Sequence, residues 1–446
     1  MENILLIDYG STFTKVVAVD ASESKLLGFA SAYTTVDTDV CEGLNSALGE
    51  LEKQTGKIDF HKRMACSSAA GGLRMVVCGL VPELTAKAAT LASMGAGAKI
   101  VGLYSYELIE EDITEIAAKK PDILLLTGGT DGGNKKCILH NAEVLAGIPA
   151  DFPIIVAGNR STKHDIMQIL KNRRTYLCDN VMPSVETLNI EPVKQLIRDI
   201  FLERIIHAKG LTDEVTMPTP AAVLAATELL ASDIGDLMAI DVGGATTDIY
   251  SIADGAPNKS GVIYKGLPEP YAKRTVEGDI GMRYSVHGIV EAAGASKIAK
   301  LSELTKEQVT RQVQYLSEHT DSLPTSNEQK ALDFALAAMA IETATLRHAG
   351  TLEEIFTTSG RALVQTGKDL TEVKTIVMTG GALLKTDKQK ELATHALYSD
   401  MQPQSLRPMK VNLLIDKYYI LAAMGLLCGY APTTALEILK ANMTKG

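Results

Sequence analysis

The sequence predicts an α/β protein made of two related lobes, on three observations. Short apolar strands alternate with helix-like segments along most of the chain, the pattern of parallel α/β architecture. A strand, an Asp-x-Gly turn and a second β-rich run occur twice, at Asp8-Tyr9-Gly10-Ser11-Thr12-Phe13-Thr14-Lys15 and at Asp241-Val242-Gly243-Gly244-Ala245-Thr246-Thr247-Asp248. Each copy is followed by a buried strand ending in Thr-Gly-Gly, at Thr127 and at Thr379. One short match would be chance; two in the same order point to an internal duplication. The lobes are expected over 1–210 and 211–446, with an extra α/β unit near 151–183 in the first.

In the first lobe, Ile4-Leu5-Leu6-Ile7 and Phe13 to Val19 read as a hairpin around a Gly/Ser-rich turn. Leu26 to Tyr33 reads as a third strand, and Cys41 to Gln54 as a helix by its apolar spacing. Strands follow at Arg63–Ser67, Leu73–Val77, Lys99–Tyr104, Asp122–Leu126, Pro153–Ala157 and Thr175–Cys178. Helices are expected between them, at Pro82–Met94, Glu107–Lys119 and Ser161–Lys171, then over Pro183–Ala208. In the second lobe, Pro220–Ala231 and Glu328–Arg347 read as helices, and Leu237–Ile240, Ile249–Ile252 and Lys374–Met378 as strands. The apolar stretch Lys417–Leu427 reads as a last helix that packs back on the first lobe.

The 446 residues carry 44 Lys+Arg against 54 Asp+Glu, a net charge of −10, which argues against nucleic-acid and anionic-membrane partners. The absence of Trp and 5% aromatic content disfavour a single-strand stacking platform. The six cysteines form no CxxC pair and no zinc-spaced cluster, so they read as reduced thiols of a cytoplasmic protein. No apolar run is long enough to span a membrane. A Walker A loop, a DxHxxG motif and a G-x-S-x-G elbow are all missing.

The doubled turns carry the chemistry. Free of bulky side chains, their N–H groups can approach an anion closely. The hydroxyls of Ser11, Thr12, Thr246 and Thr247 can add donors beside Gly10, Gly243, Gly244 and Ala245. Asp8 and Asp241 end the preceding strands and suit Mg²⁺, which takes few direct carboxylates and keeps several waters. Lys15 can add a point charge near a phosphate. Two such hairpins facing each other would clamp a nucleotide's phosphates, whereas either alone would be an ordinary hairpin. Thr379-Gly380-Gly381 opens a helix near Ala382 and would let adenine and ribose lie against backbone. Gly128-Gly129 reads as structural.

This set of motifs resembles the actin, sugar kinase and Hsp70 ATPase superfamily: two phosphate motifs at Asp8–Lys15 and Asp241–Asp248, and an adenosine motif at Val377–Ala382. The resemblance implies duplicated ribonuclease-H-like lobes with ATP and Mg²⁺ in a cleft between them. It also implies a further nucleotide-contacting loop at Glu277-Gly278-Asp279, where an ordinary helix-start turn is equally open. Ser67 to Arg74, Leu125 to Asn134 and Arg274 to Asp279 together resemble the glutamate mutase accessory protein family, called MutL in glutamate fermentation. That resemblance covers essentially the whole chain. It implies an ATP-dependent reactivating chaperone that lets damaged cobalamin leave an adenosylcobalamin-dependent mutase or aminomutase, with oligomerisation left open. The family is related to the large subunit of diol dehydratase reactivases, and the present chain is shorter than those. The DNA mismatch repair protein of the same label has a similar Asp-x-Gly-x-Gly loop, but its fold gives no reason for a second Asp-x-Gly hairpin.

On this reading Asp8 and Asp241 hold Mg²⁺ through water and orient the attacking water. Two alternatives remain on the same fold. A small-molecule kinase would need a base, for which Asp248 is a candidate. An actin-like filament ATPase would assemble with ATP. The 151–183 stretch is expected to help contact the mutase.

Overall fold

The computed structural model describes residues 2–34, 40–68, 73–185, 187–206, 214–358, 360–384 and 386–446. The chain divides into two compact units. Met1–Ala70, Ala222–Lys265 and Tyr271–Gly446 form the first, and Gly71–Ala221 with Gly266–Pro270 form the second. The boundary expected at 210/211 lies outside the described residues, and the first 70 residues group with 222–265 and 271–446.

The strands, in chain order, are β1 (Asn3–Tyr9), β2 (Phe13–Asp20), β3 (Lys25–Tyr33) and β4 (Lys62–Ser67), all in the first unit. The second unit holds β5 (Leu73–Gly79), β6 (Ala98–Ser105), β7 (Ile123–Leu126), β8 (Ile154–Val156), β9 (Thr175–Leu177) and β10 (Val215–Pro218). The first unit resumes with β11 (Leu237–Val242), β12 (Thr247–Ile252), β13 (Val262–Lys265) and β14 (Ala272–Glu277). It ends with β15 (Thr351–Thr357), β16 (Gly360–Thr366), β17 (Thr375–Thr379), β18 (Asn412–Asp416) and β19 (Met443–Lys445).

In the first unit, β1 pairs antiparallel with β2 and parallel with β4, and β2 pairs antiparallel with β3. Ile4, Leu5, Leu6 and Ile7 are all fully buried, as expected of a strand covered on both faces. The second sheet repeats the pattern: β11 pairs antiparallel with β12 and parallel with β17, and β12 pairs antiparallel with β14. The orders β4-β1-β2-β3 and β17-β11-β12-β14 therefore correspond, strand for strand. The helix Asn327–His348 packs on β11, β12 and β14. Ser326 and Gln329 cap it reciprocally, each side-chain oxygen accepting the other's backbone N–H at 3.1 Å. The helix Leu421–Cys428 packs on β1 and β4.

The pairing corrects one part of the expected repeat. Asp8 lies opposite Lys15 and Cys66, and Asp241 opposite Asp248 and Thr379. The counterpart of Thr379 is thus Cys66, at the end of β4. Thr127 instead follows β7, which pairs with β5 and β8 in the second unit. Its Gly129 has φ +70° and turns the chain, as Thr-Gly-Gly can after any buried strand.

The second unit is built on a five-stranded parallel sheet of order β6-β5-β7-β8-β9, which β10 does not join. This is a doubly wound arrangement whose order reverses between β5 and β7. The stretch 151–183 supplies β8 and β9, the far side of this sheet. The helix expected over 183–208 begins only at Glu191, with Pro in its first turn, because Ser184 and Thr187 form a tight bridge before it. Three helices between Val286 and Glu318, and the small sheet β13-β16-β15, were not expected.

Deleting 151–183 would leave β7 an open edge carrying Leu124, Leu125 and Leu126. The deleted chain should aggregate or lose protease resistance across 71–221, read by sedimentation and limited proteolysis. A resistant, soluble product would contradict this assignment of the sheet.

Candidate functional site

The first hairpin places Asp8 at the end of β1, where it is 5% exposed and faces Lys15 across the ladder. The ammonium lies 2.8 Å from Asp8 Oδ2. The Cys66 thiol donates to Asp8 Oδ1 at 3.6 Å. The turn is tight: a Cβ on Gly10 would stand 2.5 Å from the Phe13 carbonyl oxygen, so glycine is required. Thr12 Oγ1 is buried and has no hydrogen-bond partner among the described residues.

The second hairpin is closed by Gly243 N–H donating to Thr246 O at 2.9 Å. A loop missed in the sequence holds it from outside. Met282 N–H donates to Gly243 O at 3.0 Å, and Arg283 and Tyr284 N–H donate to Gly244 O at 2.8 and 2.9 Å. Arg283 is fixed in turn by a two-pronged pair with Asp333, at 3.2 and 2.8 Å. Asp248 is 6% exposed and accepts from Arg274 Nε at 2.8 Å and from the Thr246 hydroxyl at 2.9 Å. The Thr246 hydroxyl is therefore engaged within its own hairpin, and Asp248 is neutralised by a guanidinium. Thr247 Oγ1 is buried with no partner among the described residues.

The two turns meet. A Cβ on Gly244 would stand 2.8 Å from Thr12 Oγ1. The third motif joins them from β17. Gly380 has φ +103°, and a Cβ there would stand 2.5 Å from Val242 O and 2.9 Å from Asp241 Oδ1. Thr379 donates its hydroxyl to Asp416 Oδ2 at 3.0 Å, so that hydroxyl is structural. Gly381 opens the short helix Gly381–Leu384, has open space where a Cβ would stand, and is followed by half-buried Ala382. Glu277 ends β14 opposite Thr247 and pairs with Arg347, while Asp279 after Gly278 is exposed.

One residue at the centre carries no motif signal. The Tyr419 ring covers the Lys15 ammonium, 3.7 Å from its centroid, and the Tyr419 hydroxyl donates to Asp241 Oδ1 at 3.3 Å. The helix expected from Lys417 begins at Leu421 because Asp416 accepts the Ile420 and Leu421 N–H groups at 2.9 and 3.0 Å. That leaves 417–420 as a turn, with Tyr419 at φ +55°.

Burial pushes the Asp241 carboxyl up to about 7, and the Asp248 carboxylate adds to this; Lys15, opposed by the Asp8 charge, and the Tyr419 hydroxyl pull it back. Burial alone would lower Lys15, but Asp8, Tyr419 and Asp241 more than reverse this and hold it charged. Among the described residues no group of three or more His, Cys, Asp and Glu could hold a metal ion. Two carboxylates, one of them short of positive charge, and two partnerless buried hydroxyls nevertheless fit a water-rich Mg²⁺ beside phosphate.

A carboxyl raised by the fold binds its proton more tightly folded than unfolded, so its ionisation removes stability as pH rises from about 4 through about 7. Without nucleotide or divalent cation, Asp241→Asn should therefore stabilise the protein at pH 8, by roughly 1–2 kcal/mol after allowing for partial exposure. The gain should shrink steadily as pH falls toward about 4. Denaturant melts across this range check it, and a pH-independent gap would contradict the assignment.

A family model described as MutL protein matches residues 4–443. Protein MutL of Clostridium tetanomorphum is 43% identical over 461 residues, covering 100% of both chains. Among solved structures, a nucleotide-free diol dehydratase-reactivating factor is 11% identical, covering 97% of this chain and 100% of its own, with a TM-score of 0.39. A ligand-bound xylulose kinase from Lactobacillus acidophilus is 12% identical, covering 100% and 93%, with a TM-score of 0.36. Of the Ser67–Arg74 motif, residues 69–72 lie outside the described residues. No helix among the described residues is long and apolar enough to cross a membrane. On the family model and the full-length sequence match, this chain belongs to the MutL family of glutamate mutase accessory proteins.

Proposed function

We propose that the protein is an ATP-dependent reactivating chaperone for an adenosylcobalamin-dependent mutase or aminomutase of the glutamate mutase kind, working in the cytoplasm and releasing damaged cobalamin. Family membership supports the client class. The observation that carries the ATPase half is the meeting of two Asp-x-Gly hairpins in one compact unit, with Lys15, Tyr419 and Asp241 in contact. The two sheets that bear the hairpins are then the two ATPase lobes.

The Gly10–Thr12 and Gly244–Thr246 turns offer backbone N–H groups to phosphate oxygens, the Gly243 N–H being spent on closing its own hairpin. The hydroxyls of Thr12 and Thr247 add donors, and Lys15 neutralises charge that builds on the transferred phosphoryl group. Asp8 and Asp241 would hold Mg²⁺ through water, and bound Mg²⁺ supplies charge neutralisation across the phosphates. Asp241, as carboxylate, also orients the attacking water. Adenosine lies along Gly380, Gly381 and Ala382, with Gly278 and Asp279 at the margin. Positioning and electrostatics dominate phosphoryl transfer, so few groups suffice. Turnover is slow, because the useful output is movement of the lobes. The kinase alternative is weakened by the Arg274 pair on Asp248, which leaves that carboxylate a poor base.

Asp8→Ala and Asp241→Ala should each lower ATP turnover by roughly 10²–10³-fold. A cobalamin mutase inactivated by turnover should recover activity with this protein, ATP and fresh cofactor, and not with either variant. Wild-type turnover in both variants would refute the site. Metabolite-dependent ADP release without a protein client would favour the kinase, and ATP-dependent sedimentation the filament.

A further inference from the structure

We infer that Tyr419 is a positioning residue that couples the two phosphate hairpins, its ring seating Lys15 and its hydroxyl orienting Asp241. The inference rests on the ATPase reading and extends it to a residue outside every motif. Three observations converge on it. The ring lies 3.7 Å from the Lys15 ammonium while Asp8 holds that ammonium from another side at 2.8 Å. The hydroxyl reaches Asp241 Oδ1 at 3.3 Å, so one side chain touches the charged group of each hairpin. The backbone stands at φ +55°, a left-handed conformation that a bulky aromatic residue adopts only when its surroundings hold it there.

Two neighbouring features hold it there. Asp416 anchors the turn from before, accepting the Thr379 hydroxyl and the Ile420 and Leu421 N–H groups. The helix that follows is locked by close packing, since a Cβ on Gly425 would overlap the Ala222 backbone. The adenosine motif at Thr379 is thereby tied through Asp416 to Tyr419, and through Tyr419 to both hairpins. A cation over an aromatic face in a desolvated site is held firmly, and the hydroxyl limits how Asp241 can rotate. Backbone strain kept at this position fits a functional constraint.

The test separates ring, hydroxyl and backbone. Asn tolerates the left-handed conformation, so relief of backbone strain offsets part of the packing lost with the ring, and Tyr419→Asn should fold with a melting temperature close to that of the wild type. It should nonetheless lose about tenfold or more in kcat/KM for Mg-ATP. Tyr419→Phe keeps the ring, so KM should stay within about twofold while kcat falls about three- to tenfold. Stability retained with activity lost is a pattern that a merely structural tyrosine does not give. Wild-type kinetics in both variants would overturn the inference and leave the ATPase reading standing. Absence of ATP hydrolysis by the wild-type chain would overturn both.

Discussion

The Lys15 ammonium, held between the Asp8 carboxylate and the face of Tyr419, is the interaction on which the rest of the site depends. A buried charge is tolerated only when paired, and removing one partner of such a pair typically costs about 3–5 kcal/mol. The β1–β2 ladder supplies the pairing, because Asp8 and Lys15 are direct neighbours across it. Two neighbouring elements complete its surroundings: β4 brings Cys66 to the far oxygen of Asp8, and the turn after Asp416 brings Tyr419 over the ammonium.

The duplication gives two similar frames that differ in charge. Lys15 and Asp248 occupy the same register position in their hairpins, opposite Asp8 and Asp241. The first frame is therefore a neutral pair. In the second, two carboxylates face each other, and Arg274 neutralises only the Asp248 side. Asp241 is left short of positive charge, which burial then amplifies. An arrangement of this kind would attract a cation on one side and offer an ammonium to an anion on the other. Under the proposed function, this asymmetry would favour one orientation for a Mg-nucleotide between the frames.

Much of this was legible in the sequence, and the reasons for the rest are physical. Ile4–Ile7 and Leu237–Ile240 announce themselves as buried strands, and the Asp-x-Gly turns after them are rigid local structures that need no tertiary context. The doubled frame could be inferred because local pairing repeats. Thr127 misled because Thr-Gly-Gly marks a turn after a buried strand wherever one occurs, and sequence order does not say which sheet that strand joins. The engagement of Thr379 could not be read, since Asp416 lies 37 residues from it. Tyr419 was hidden twice over: it lies 178 residues from Asp241, and it sits in an apolar stretch that reads as helix until Asp416 delays the helix start. The helices between Val286 and Glu318 are amphipathic segments that bury Val286, Ile289, Ile298, Val309 and Val313 in the core, and their sequences carry no functional motif.

The central claim is that both hairpins grip the same triphosphate. Amide hydrogen exchange with and without Mg-ATP measures this directly. The account predicts slowed exchange at 9–15 and 242–248 together, appearing at the same nucleotide concentration and extending to 380–382. Protection of one hairpin alone, or of neither, would contradict it.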